Sequence, residues 1–246
     1  MLSERPWNRE VFLLLIAGLL VCWCLGSLLG ILLEQFLSVD ALARKSFFRF
    51  LIGTLTFHAA GLVLVHQFLK LHGLTWSGFL GLTQPRLGRA ILFAVVVAIL
   101  VLPIVLTLNE WSARLLDSVG TKAVPQPTIK VLQSTVGVGE RFCFGVAAIV
   151  LAPLAEEALF RGILYPFIKQ RGHPWLALFV TSLAFGAVHA NLMTFVPLAF
   201  LAVVLVFVYE KTDKLLAPIV THALFNAVNF FSFIYEAELA RFFHQF

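Results

Sequence analysis

The stretch that decides the fold is Ala148–Ile168, AIVLAPLAEEALFRGILYPFI. It is apolar enough to lie in a bilayer. Yet it carries two adjacent carboxylates, Glu156 and Glu157, and Arg161 one helical turn further on. Ionisable groups at membrane depth are costly, face a bundle interior or a water-filled cavity, and mark function. On an α-helix Glu157 and Arg161 are i and i+4, so they share a face and pair. Glu156 lies about 100° around the helix from Glu157. The spacing predicts a division of labour in which Arg161 neutralises and orients Glu157, leaving Glu156 for general-base work. A structural salt bridge closing a helix end accounts equally well for Glu157–Arg161, but not for Glu156. Pro153, just ahead, removes a backbone donor and predicts a kink with a freed carbonyl near the acids.

Outward from this stretch, composition sets the class. Of 246 residues, 60% are hydrophobic and 13% charged, with a mean hydropathy of +0.94. These values exclude an ordinary soluble domain and predict an all-α, polytopic transmembrane helical bundle of about seven to eight spans. It forms a single domain over residues 1–246. The net charge of +5 and pI near 9.4 fit lysines and arginines flanking spans beside anionic headgroups, with membrane lipids as partners. No basic stripe with interleaved aromatics occurs, so nucleic acid is not an expected partner. Cys22, Cys24 and Cys143 are odd in number, form no CxxC pair, and read as small membrane-buried side chains. Arg5 and Arg9 precede an apolar run, Val11 to Leu33, that is too long for a signal-peptide core and reads as a retained span.

Apolar stretches at 11–33, 47–69, 90–108, 142–168, 175–190, 194–209 and 216–234 predict seven helices, the fifth and sixth short for a bilayer. The connection 73–89 reads as interfacial. Segment 109–141, with Pro125 and Pro127, reads as partly helical, either re-entrant or at the surface. Lys and Arg follow the positive-inside rule only weakly, which leaves orientation open.

Two later stretches carry one polar feature each: FGAVH (Phe185–His189) and HALFN (His222–Asn226). The turn RGHP (171–174) separates the fourth and fifth helices. Glu156 and His189 each lie about sixteen residues from its centre, so both sit some 24 Å along their helices at about 1.5 Å per residue. The spacing therefore lets Glu156 meet His189, roughly 3–6 Å apart, within one water's reach. Phe185, at i−4, packs on the same face as His189. The alternative is a purely structural histidine. His222 and Asn226 are i and i+4 and present donors side by side, as an oxyanion hole or as a helix–helix hydrogen-bonding pair. The short loop Glu210–Pro218 sets His222 at another depth, which demands a tilt or a break. His58 and His66 lie on the second span with nothing in the sequence to link them to the cluster. His72, His173 and His244 read as interfacial, and Thr221 and Asn229 carry no assigned role.

The three motifs EExxxR (156–161), FxxxH (185–189) and HxxxN (222–226) together resemble the CAAX protease and bacteriocin-processing family (CPBP, or ABI). That family includes the type II CAAX prenyl endopeptidases, and the resemblance covers a core of about residues 130–235. It implies a glutamic intramembrane endopeptidase, with Glu156 and His189 activating water and His222 and Asn226 stabilising the oxyanion. Glu157, Arg161 and Phe185 would support them. The implied substrate is a peptide or lipidated protein, of the prenylated CAAX type or otherwise membrane-associated. No cofactor is expected. Zinc on Glu156, His189 and His222 plus water would also match a catalytic three-ligand pattern, but Asn226 is a poor ligand and a natural oxyanion donor. No HExxH, GxSG or intramembrane aspartate pair points to another protease class. A non-catalytic membrane scaffold or immunity protein is the competing reading, and a transporter the third. The expected location is integral and multi-pass, in a bacterial inner membrane.

Overall fold

Without water in a bilayer core, a chain this apolar satisfies its peptide groups only in helices or a closed barrel. Every regular element among the described residues is helical. The computed structural model describes residues 5, 7–36, 42–134 and 137–243, so His244 lies outside the described residues. The elements are α1 (Arg9–Phe36), α2 (Leu42–Gly53), α3 (Ala60–Leu71), α4 (Trp76–Leu80), α5 (Leu87–Ser118) and α6 (Pro127–Ser134). They continue as α7 (Val138–Val146), α8 (Ala152–Glu157), α9 (Tyr165–Lys169), α10 (Pro174–Val188), α11 (Leu192–Thr212) and α12 (Leu216–Phe243). Three π-helical turns join some of these without breaking the rod: Thr54–Ala59 between α2 and α3, Ala147–Leu151 between α7 and α8, and Ala158–Leu164 between α8 and α9.

Among the described residues six helical rods are long and apolar enough to cross a membrane: Arg9–Leu32, Phe47–Leu71, Leu87–Ser118, Val138–Lys169, Leu192–Thr212 and Leu216–Glu236. The chain is an integral membrane protein. The fifth expected span is α10, whose 15 residues reach about 22 Å against a core of about 30 Å. The third runs further than its apolar stretch, to Ser118, and takes the start of the 109–141 segment into a helix. The rest of that segment forms α6 and the start of α7, and the 73–89 connection holds α4.

Placement follows burial. The hydrophobic windows of Val138–Lys169 and Leu192–Thr212 are 44% buried, against 17% for each of the first three spans, so the motif-bearing rod is central. Leu13, Leu14, Leu20 and Trp23 of α1 face outward, as lipid-facing residues do. Between helices in lipid, close backbone approach and polar ties replace the hydrophobic drive. A Cβ on Gly186 would stand 2.8 Å from the Phe195 carbonyl oxygen, so α10 sits tight on α11. Gly162 lies against Phe79 and Leu215 in the same way. Thr221 Oγ1 donates to the Ala94 carbonyl at 3.1 Å, tying α12 to α5 and giving this residue its role. The predicted hairpin is present: Gly172 has φ +89°, a value open to glycine, and Pro174 starts α10 where a missing N–H costs nothing. At that end Tyr165 donates to Glu210 at 2.8 Å, and Lys169 pairs with the same carboxylate.

Candidate functional site

Glu157 is the anchor. It is fully buried, and its Oε1 accepts from Arg161 at 2.8 Å and from His222 Nδ1 at 3.0 Å. Arg161, equally buried, also donates to the Ala202 carbonyl on α11 at 3.1 Å. One carboxylate thus joins α8, the following π-helical turn and α12. In that turn, Ala158–Leu164, widened i→i+5 bonding changes the phase of the rod just after the glutamates.

Glu156 faces the other way, as the 100° offset requires. Its side chain keeps 13% exposure where that of Glu157 has none. Its Oε2 has no hydrogen-bond partner and lies 3.9 Å from His222 Nε2. His222 is therefore bracketed, with Nδ1 on Glu157 and Nε2 toward Glu156.

His189 caps the end of α10. Its Nδ1 donates to the Phe185 carbonyl at 2.7 Å, which in the neutral ring leaves a lone pair on Nε2. It interacts electrostatically with Glu156, and no hydrogen bond joins the two among the described residues. Phe185 is the common wall. It is fully buried, with Arg161 4.6 Å from its ring centroid, His222 at 5.6 Å and His189 at 5.0 Å.

Asn226 is engaged elsewhere. Its Nδ2 donates to the Ala148 carbonyl at 2.8 Å. In the π-helical turn Ala147–Leu151 the Ala152 N–H reaches Ala147, so the next bond, to Ala148, would need an N–H from residue 153. That residue is Pro153, and the carbonyl it frees is the one Asn226 takes. One amide N–H of Asn226 is thus committed to holding α12 on the kink, and the second remains. Asn229 bonds within its own helix, to Phe225.

One site residue is missed by the sequence. His58, read above as unlinked to the cluster, lies with Nε2 3.2 Å from Glu156 Oε1. The two are 98 residues apart and share no motif. The only local signal is a histidine inside an apolar span. His66 accepts from the Trp76 indole and stays outside the cluster. His72, between the Phe68 carbonyl and the Asn8 N–H, ties the N-terminal segment to α3.

Among the described residues no three His, Cys, Asp or Glu side chains converge in metal-holding geometry. One ring nitrogen of each histidine is bonded: His222 Nδ1 to Glu157, His189 Nδ1 to a carbonyl, and His58 Nε2 to Glu156.

The chain is 26% identical over 81 residues to the "Putative membrane peptidase YdiL" of Bacillus subtilis (strain 168), 33% of each chain. It is 36% identical over 78 residues to an "Uncharacterized 24.3 kDa protein" of Escherichia coli, 30% of this chain and 36% of that one. The matches thus span about a third of the length of these relatives. No solved structure matches. The model of the family "Type II CAAX prenyl endopeptidase Rce1-like" matches residues 139–228, the segment that holds both glutamates, Arg161, His189, His222 and Asn226. Over that segment the chain is similar to the type II CAAX prenyl endopeptidase Rce1-like family.

Proposed function

We propose that this protein is an intramembrane endopeptidase that hydrolyses a peptide bond with a glutamate-activated water. The observation that carries the reading is Glu156 Oε2. It is buried, has no partner, and stands 3.9 Å from a histidine that a second, fully buried glutamate holds in place.

In the proposed reaction a water donates one hydrogen to Glu156 Oε2 and the other to the free Nε2 lone pair of His189. Its oxygen attacks the scissile carbonyl carbon as Glu156 takes the proton. The carbonyl oxygen becomes an oxyanion, met by His222 Nε2–H when that ring carries its second proton and by the remaining amide N–H of Asn226. Glu157 and Arg161 hold His222 without entering the chemistry. The C–N bond then breaks, and Glu156 returns its proton to the leaving amine. The protein dipoles are set in place before reaction, where a low-dielectric site makes them count most.

The substrate class we propose is a membrane-associated peptide or lipidated protein, including the prenylated CAAX type, in a bacterial inner membrane. The family match and the relative described as a membrane peptidase support it. The test is cleavage by purified protein of a panel of prenylated and unprenylated peptides. The wild type is expected to cut at least one, and Glu156→Gln, inserted and folded, none. Equal activity of the two proteins would remove Glu156 from the mechanism. A wild type inert to the whole panel would favour a scaffold or immunity role.

A further inference from the structure

The two carboxylate oxygens of Glu156 have different surroundings. Oε1 lies 3.2 Å from His58 Nε2, whereas Oε2 has no partner. His58 belongs to the π-helical turn Thr54–Ala59 of the second span, outside the family-matching segment 139–228. π-helical turns within α-helical rods are frequent at functional sites, and here one carries a residue into the cluster. The proton on His58 is assignable. Its Nδ1 is buried without a partner. An orphaned buried N–H is rarer than an orphaned acceptor, so Nδ1 is the bare nitrogen and Nε2–H donates to Glu156. The Phe57 ring meets the imidazole edge-on at 5.4 Å and 88°, which limits how the ring can turn.

We propose that His58 is a positioning residue for the hydrolysis described above, on which this inference rests. Its Nε2–H holds Oε1 of Glu156, fixes the rotamer of the carboxylate, and leaves Oε2 as the atom that takes the proton from water. His58 touches neither substrate nor the reacting water and acts only through Glu156. Loss of the donor lets the carboxylate rotate and offer either oxygen in poor alignment.

The test uses substitutions that differ in reach. The glutamine amide nitrogen falls near the position of Nε2, while that of asparagine stops near Nδ1. His58→Gln is expected to keep kcat close to wild type. His58→Asn and His58→Phe are expected to lose about ten- to a hundredfold in kcat, the worth of one hydrogen bond to a charged group. KM should stay unchanged, because no substrate contact is removed. The Glu156 carboxylate stretch in the infrared, assigned by its loss in Glu156→Gln, should shift in His58→Asn and return in His58→Gln. Wild-type kcat in His58→Phe, or equal losses in the Gln and Asn variants with an unshifted band, would overturn the role of His58 while Glu156→Gln stays inactive. If the wild type cleaves no peptide, the endopeptidase reading falls and takes the positioning role with it.

Discussion

Glu157 and Glu156 are chemically identical neighbours in different surroundings, and the proposed mechanism gives them different tasks. Glu157 is spent on Arg161 and His222. Glu157→Gln removes the charge that balances a fully buried guanidinium, and breaking a buried pair in this way costs about 3–5 kcal/mol. The expected outcome is a marked fall in the midpoint of thermal unfolding in detergent, together with lost activity as His222 is released. A variant as stable as wild type would show that Arg161 finds its balance elsewhere. Asn226 poses the sharper question, because it serves both the Ala148 carbonyl and the proposed oxyanion. Asn226→Ala is expected to lower kcat on the order of 10²–10³. Orphaning the carbonyl should also cost about 1–3 kcal/mol of stability. Full kcat per folded molecule with a lowered midpoint would confine Asn226 to the kink.

The elements act through where they are irregular. Each of the three π-helical turns among the described residues touches the cluster: one carries His58, one exposes the Ala148 carbonyl, and one carries Arg161. Each lies inside a spanning rod, so the rod crosses the membrane while its ladder is locally re-phased. The tight seam between α10 and α11 is the other device. A Cβ on Gly186 would meet the Phe195 carbonyl at 2.8 Å and Ala199 Cβ at 3.4 Å, and backbone cannot swing aside as a side chain can. Gly186→Leu is expected to wedge the two helices apart. It should cost at least about 1–3 kcal/mol by overpacking and lower kcat by moving His189, three residues on. Gly139→Ala, whose Cβ would meet nothing within 4 Å, is the control and should lower neither measurement. Equal behaviour of the two variants would mean that the seam does not position His189.

At the scale of the molecule, the proposed mechanism turns on how water is activated. Metal-dependent hydrolysis needs a bound ion to acidify the attacking water, whereas the glutamate mechanism needs only the side chains described above. Rigorous metal stripping is expected to leave cleavage intact, and metal analysis of active protein to find far less than one zinc per chain. Stoichiometric zinc, with activity that tracks its removal and return, would replace the glutamate mechanism while keeping the hydrolase assignment.

Class, topology and most of the cluster were legible from the sequence, because they rest on local or periodic signals. Apolar runs of bilayer length leave the backbone little choice but helix. The i, i+4 spacing put Arg161 on Glu157, the offset separated Glu156 from it, and Pro153 announced a freed carbonyl. The 171–174 turn brought two motif helices side by side. Tertiary structure alone decided the rest. It chose His58 over His66, a choice that turns on which face of the second span meets α8 and on a π-helical turn no hydrophobic period reveals. It gave Glu157, not Glu156, the bond to His222, and it committed one N–H of Asn226 to a carbonyl in another helix. These are contacts between groups 65 to 98 residues apart. In lipid such contacts are set by the rotation and depth at which packed rods come to rest, and no single rod encodes that alone.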